Sequence, residues 1–139
     1  MDSATDTPGR GWQELYGKRC RSLLRGLRAS SQHIQAVALV SNDGLILASE
    51  LADSVDEDRF GAMCASLLSL SGRAAHEVQR GELRQVILEC TLGPMLLTRA
   101  GDTGVLAVAA SPEANLGKVI LDTRQSARNL AELKTVEAR

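Results

Sequence analysis

Residues 54–80, SVDEDRFGAMCASLLSLSGRAAHEVQR, decide how the rest of the chain must be arranged, because they read as one long helix. Phe60, Met63, Cys64, Leu67, Leu68 and Val78 recur near a 3.6-residue period, with Ser71, Ala74 and Ala75 in the same phase. Ser54, followed three residues later by Glu57, predicts a capping box that satisfies amide groups the first turn leaves free. Asp56 and Asp58 suit the positive end of the helix, and Gly81 predicts its stop. Such a helix spans roughly 40 Å at about 1.5 Å per residue. Five strands about 4.8 Å apart measure only about 20 to 24 Å across, so the helix is expected to overhang its own sheet.

Beside the apolar stripe runs a line of small residues: Gly61, Ala62, Ala65, Ser66, Ser69 and Gly72. A glycine inside a helix costs about 1 kcal/mol relative to alanine, so two of them need a reason. Close approach by another helix or chain is one reason, which makes the stripe a contact surface. Close packing on the protein's own sheet is the other.

The totals bound what the chain can do. Its 139 residues suffice for one small domain with a single core. Hydrophobic residues make up 44% and aromatics 2%, so that core must be built from Leu, Val, Ile and Ala. A net charge of -1 gives no electrostatic pull toward nucleic acid, and one Trp, one Tyr and one Phe offer little stacking surface for bases. Cys20, Cys64 and Cys90 are odd in number, far apart and each within an apolar pattern, which predicts three buried, unreactive thiols in a reducing compartment. The first eleven residues lack the apolar core of a signal peptide, and no run approaches the roughly 20 apolar residues of a bilayer span, so a cytoplasmic protein is expected.

Residues 1–11 read as a flexible tail, 12–134 as the domain and 135–139 as a frayed end. Trp12, Leu15, Tyr16, Cys20, Leu23, Leu24 and Leu27 mark one face of a first helix over 12–28; Lys18, Arg21, Arg25 and Arg28 give it a basic, solvated outer face. Strands are expected at 34–40 and 45–48, joined through Asp43-Gly44 by a type I′ turn. After the long helix come strands at 83–91, 95–99 and 104–110, whose short connections predict an antiparallel meander. Ser111-Pro112-Glu113 reads as the start of a last helix reaching about Leu133. Helix, two strands, long helix, three strands and helix describe an α+β fold: a central five-stranded antiparallel sheet between helix layers.

Chemistry is sparse. Gly117-Lys118 is followed by Val119 and lies within a helix, so no phosphate-binding loop forms there. His33 and His76 lack neighbours at metal-ligand spacing, and no Gly-x-Ser-x-Gly elbow frames a serine. Asp43, Asp53, Asp56, Glu57 and Asp58 are accounted for by turns and caps. No catalytic, cofactor or metal residue is assigned, and a non-enzymatic protein is expected.

AVALVSNDGLILA at 36–48, the helix around 63–75 and SPEANLGKVILDTRQSARNL at 111–130 together resemble a roadblock-family domain of the bacterial type, similar to MglB-like small-GTPase regulators. The resemblance covers residues 32–133 and shares the element order derived above, a roadblock-like or profilin-like sandwich. It implies a homodimer in which strand 83–91 pairs with its copy and the two long helices lie side by side, an interface drawing on Leu67, Leu68, Arg84, Val86, Ile87, Leu88 and Glu89. It further implies that a Ras-like small GTPase docks on the exposed side of the helix pair, at Gly61, Ala62, Ala65, Ser69 and Arg73, with stimulated GTP hydrolysis as one outcome of docking. The alternative is a structural adaptor resembling the dynein roadblock light chains. Neither reading involves nucleic acid or integral membrane contact.

Overall fold

The computed structural model describes residues 8–137. Its elements are α1 (Pro8–Ala29), β1 (Ile34–Ser41), β2 (Ile46–Glu50), α2 (Glu57–Glu77), β3 (Gln85–Leu88), β4 (Met95–Ala100), β5 (Gly104–Ala110) and α3 (Leu116–Glu137). The strands form one antiparallel sheet in the order β2-β1-β5-β4-β3. β1 and β5 are central because their apolar runs can be covered on both faces, and helices cover both.

Alternate residues of each strand point to opposite faces, so the sheet divides the core into two layers. On one side Val37, Leu39, Leu96, Leu106 and Val108 meet Cys20, Leu24 and Leu27 of α1 together with Val119, Ala127 and Leu130 of α3. On the other, Ala38, Val40, Leu97, Val105 and Ala107 meet Cys64 and Leu68 of α2. Two helices therefore cover one face and a single helix the other. The α+β sandwich read from the sequence is the observed architecture.

Several local expectations are corrected. α2 begins at Glu57, and its cap is Asp56 rather than Ser54: Asp56 is extended and its Oδ1 accepts the Arg59 amide at 3.1 Å. Glu57 instead accepts the Ser49 hydroxyl at 2.7 Å, which ties the helix start to β2. At the far end the chain turns left-handed at Gln79 (φ 57), before Gly81. The Gln79 and Arg80 amides donate to the carbonyls of His76 and Ala75, closing a Schellman motif two residues ahead of the expected glycine. At 21 residues α2 is about 31 Å long, shorter than expected but still longer than the roughly 20 Å width of five strands.

The β1–β2 turn is also different. Of Asp43 and Gly44 only Gly44 has positive φ, 92°, and its amide donates to Ser41 O at 3.0 Å. This is a type I turn closed by a left-handed glycine, not a type I′ turn. The pairing of β1 with β2 shifts between Leu39 and Val40, so the hairpin absorbs one extra residue. β3 covers only Gln85–Leu88, because residues beyond it leave β4 in a turn where the Gly93 amide bonds to Cys90 O. α3 is capped by Asn115, whose Oδ1 accepts the Lys118 amide at 3.0 Å, while Ser111 and Ala114 close a separate turn before it. α1 starts at Pro8, inside the stretch read as a tail, and α3 runs to Glu137; residues 1–7 and 138–139 lie outside the described residues.

Candidate docking face on the long helix

α2 turns Cys64 and Leu68 to the sheet, each 3% exposed. Three and seven residues after Leu68 the same phase carries Ser71 and Ala75, both half-buried, along the edge of that contact. The opposite face holds Ala62, Met63, Ser66, Ser69, Leu70, Arg73 and Ala74, all exposed. Met63 at 56% and Leu70 at 59% are large apolar side chains left in water. The sequence pattern places Met63 and Val78 with the core; the structure puts both at the surface, Met63 because only a narrow stripe of one helix reaches a sheet face and Val78 because α2 ends at Glu77 and it is the C-cap. Leu70 was missed altogether, although its offset of two from Leu68 is the signal that it points away.

The small stripe splits. Gly61 is buried, and a methyl group built on it would run into the carbonyl oxygen of Gly44 in the β1–β2 turn. Its missing side chain thus serves the protein's own hairpin, and Gly61 lies outside any docking surface. A methyl at Gly72 would meet only Leu83 Cβ at 3.9 Å, an ordinary contact, so self-packing does not demand glycine there. Ala62, Ser69 and Arg73 are exposed, and Ala65 is half-buried. A cleft of about 540 Å³ lies under the C-terminal half of α2, bordered by Leu68, Gly72, Arg73, His76 and Arg99.

The residues expected at a dimer interface are dispersed between core and edge. Leu68 is committed to the protein's own core and Leu67 packs against that layer. Among the described residues β3 is an edge strand with no partner on its outer side. Along it Val86 and Leu88 are half-buried, Ile87 is 42% exposed, and Arg84 and Glu89 are exposed. β3 is short, which is one way natural sheets limit an open edge.

The thiols separate by environment. Cys20 and Cys64 are buried, and burial pushes both thiols up, Cys64 to about 11. Burial likewise raises the Tyr16 phenol to about 12. Cys90 is exposed, contrary to the apolar phase of its neighbours, because β3 ends at Leu88 and Cys90 falls in the following turn. His33 and Ser111 join the ends of β1 and β5: Nδ1 lies 2.9 Å from Ser111 Oγ, and the Ser111 amide donates to His33 O at 2.8 Å. Among the described residues no group of His, Cys, Asp and Glu is arranged to hold a metal ion, and no helix is long and apolar enough to cross a membrane. What α2 offers is a surface of small and apolar side chains with an arginine at its end.

The model of the Roadblock/LC7 domain family matches residues 22–110. This chain belongs to the Roadblock/LC7 family. Among its relatives, an uncharacterized protein of Methanocaldococcus jannaschii is 32% identical over 100 residues, covering 72% of this chain and 87% of that protein. A second from the same organism is 33% identical over 97 residues, covering 70% and 84%. The Roadblock/LC7 domain from Streptomyces avermitilis superposes with a TM-score of 0.76 at 25% identity, over 83% of this chain and 97% of that one. Myxococcus xanthus MglB superposes with a TM-score of 0.79 at 18% identity, over 85% and 96%. At that identity the likeness to MglB is one of fold. The Roadblock/LC7 arrangement found here is thus shared with bacterial and archaeal proteins alike.

Proposed function

We propose that this Roadblock/LC7 protein is a non-enzymatic, homodimeric regulator that binds a Ras-like small GTPase through the outward face of α2. The observation that carries the reading is the exposed face itself. Met63 and Leu70 stand in water among Ala62, Ser66 and Ser69, on a helix whose other side already satisfies the core. Exposed apolar side chains grouped on one face, rather than scattered singly, mark a surface that another protein covers. The sequence resemblance to small-GTPase regulators suggests the class of partner, and membership of the Roadblock/LC7 family supports that resemblance. The open edge of β3, with Val86, Ile87 and Leu88, supplies the second half of the proposal: pairing with its copy extends the sheet and removes the edge. Ala65, Ser69 and Arg73 are then docking residues, and no residue of this chain is assigned to GTP hydrolysis.

The test uses Ser69→Arg and Ala65→Arg in the full chain, with partner capture and sedimentation measured together. Ser69 is exposed, so arginine there stays hydrated in the free protein, but in a close contact it either clashes or carries an unpaired charge into a desolvated interface. The expected result is a folded dimer whose affinity for its small GTPase falls about a hundredfold, a loss of about 3 kcal/mol. Ala65 is half-buried, so its arginine variant should add a modest loss of stability to the same binding defect. A folded Ser69→Arg dimer with undiminished affinity overturns the docking face, and a wild-type monomer at micromolar concentration overturns the dimer.

A further inference from the structure

A cleft of about 440 Å³ opens between α3 and the β3–β4 edge at the end of the sheet, and Arg99 borders both this cleft and the one under α2. Arg84, Arg99, Arg124 and Arg128 border it, with Glu82 the single acid among the lining residues. Four positive charges against one is a strong local excess in a chain whose formal net charge is -1. The described ion pairs join Arg25 and Arg28 to Glu50, Arg59 to Asp56 and Lys118 to Asp122; none uses these four arginines.

Two of the four are held in place by neutral groups. Arg99 Nε donates to the Leu83 carbonyl at 3.2 Å, and Arg128 Nη2 donates to Gln125 Oε1 at 2.8 Å. Those bonds orient the side chains without cancelling their charge, and each guanidinium keeps further N–H donors in the planar fork that matches a carboxylate. Ala127, Ala131 and Thr98 add small side chains to the lining, which leaves room for a backbone to lie between the arginines. A concave cleft fits a chain better than the plane of a membrane. With no aromatic residue in the lining, it lacks the stacking platform that single-stranded nucleic acid uses.

We propose that this cleft is a docking site for an acidic segment of a partner protein, a short extended stretch carrying several Asp or Glu side chains. The proposal does not rest on the GTPase reading, and of its four arginines Arg99 is shared with the cleft under α2. Arg124 and Arg128 lie four residues apart on α3, so their side chains are neighbours on one helix face and meet acidic groups spaced along the segment. Because all four arginines are exposed, binding is expected to be modest in affinity and strongly weakened by salt.

Fluorescence anisotropy with a labelled decaglutamate peptide, on the full chain, tests this. Binding is expected at about 50 mM salt, with loss of most of it at several times that concentration. Arg124→Glu/Arg128→Glu should weaken binding at least about tenfold while circular dichroism and the melting temperature stay at the wild-type values; Lys18→Glu/Arg21→Glu on the basic face of α1 should change it less than about twofold. If the charge reversal disturbs folding, Arg124→Gln/Arg128→Gln is read in its place, with about a threefold loss expected. No binding at low salt overturns the proposal, as does an equal loss in the α1 variant. Tighter binding to phosphatidylserine vesicles or to a single-stranded oligonucleotide, with the same dependence on Arg124 and Arg128, also overturns it by giving the cleft to another class of partner.

Discussion

The two faces of the sheet are built from similar strands but covered unequally. The α1/α3 face is sealed by two helices, and Leu24, Leu39, Leu96, Leu106 and Leu130 there are 0% exposed. The α2 face has one helix, which reaches the sheet mainly through Cys64 and Leu68 and leaves Met63 and Leu70 outside. Methionine, phenylalanine and leucine residues around it, such as Met95, Phe60 and Leu67, are only partly buried. The difference teaches where stability and where interaction reside. A face sealed by two packed helices keeps its apolar sheet surface covered and offers only the charged outsides and edges of those helices, whereas a face crossed by one helix exposes apolar side chains on the back of that helix.

The largest expected effect breaks this contrast directly. Leu24→Ala opens a cavity between α1 and the sheet where no neighbour can collapse into it, and should cost about 3 to 5 kcal/mol. Leu68→Ala, on the thinly covered face, should cost less, about 2 to 3 kcal/mol, because surrounding side chains and water can relax into the space. Urea denaturation of both variants measures the difference; equal losses, or a larger loss at Leu68, would mean that the two layers are equally tight.

The thiols sharpen the comparison at intermediate scale, with one buried in each layer and one outside both. Cys90 should react with a thiol reagent in the native protein at nearly the rate of a free thiol, while Cys20 and Cys64 should wait for unfolding. The raised value of Cys64 also has a sign. A thiol held neutral in the folded state contributes stability that is fully present below its ordinary value of 9.0 and is lost as pH rises toward about 11. The stability gap between the wild type and Cys64→Ala should therefore shrink between those two pH values. Rapid labelling of Cys64 at neutral pH would show that the single-helix layer opens readily.

The smallest effect concerns the outside of the sealed face. Arg25 and Arg28 of α1 lie 3.9 and 3.8 Å from the Glu50 carboxylate, with both arginine side chains at least 48% exposed. Glu50→Gln should change stability by less than about 1 kcal/mol, since exposed pairs are solvated and screened. A larger loss in thermal or urea unfolding would make the β2 edge a third anchoring region.

Much of this was legible in the chain, and the exceptions follow one pattern. The order of helices and strands, the central place of the apolar runs at β1 and β5, and the identity of Cys20, Leu24, Leu27 and Leu68 as core follow from periodicity, because a repeat of 3.6 or 2 is set by backbone geometry alone. What misled were the alternatives that local sequence leaves equal. Ser54 and Asp56 are both good caps; Asp56 prevails because Glu57 is drawn away to the Ser49 hydroxyl of a strand. Cys90 shares the pattern of a strand that stops two residues earlier, where β4 no longer offers it a partner.

The candidate site divides the same way. That residues 61–72 carry a line of small side chains is a property of the sequence. Which of them face outward is not, because it depends on what stands against the helix: the Gly44 carbonyl claims the space at Gly61, while Ser69 is exposed. The arginines of the proposed acidic-segment cleft are separated by up to 44 positions, from Arg84 to Arg128, so only the packing of α3 beside the β3–β4 edge assembles them. Sequence by itself determined the elements and their order, since these follow from local backbone periodicity. Tertiary structure alone decided how completely each face is covered, because coverage is a matter of how many helices fit over a sheet of fixed width.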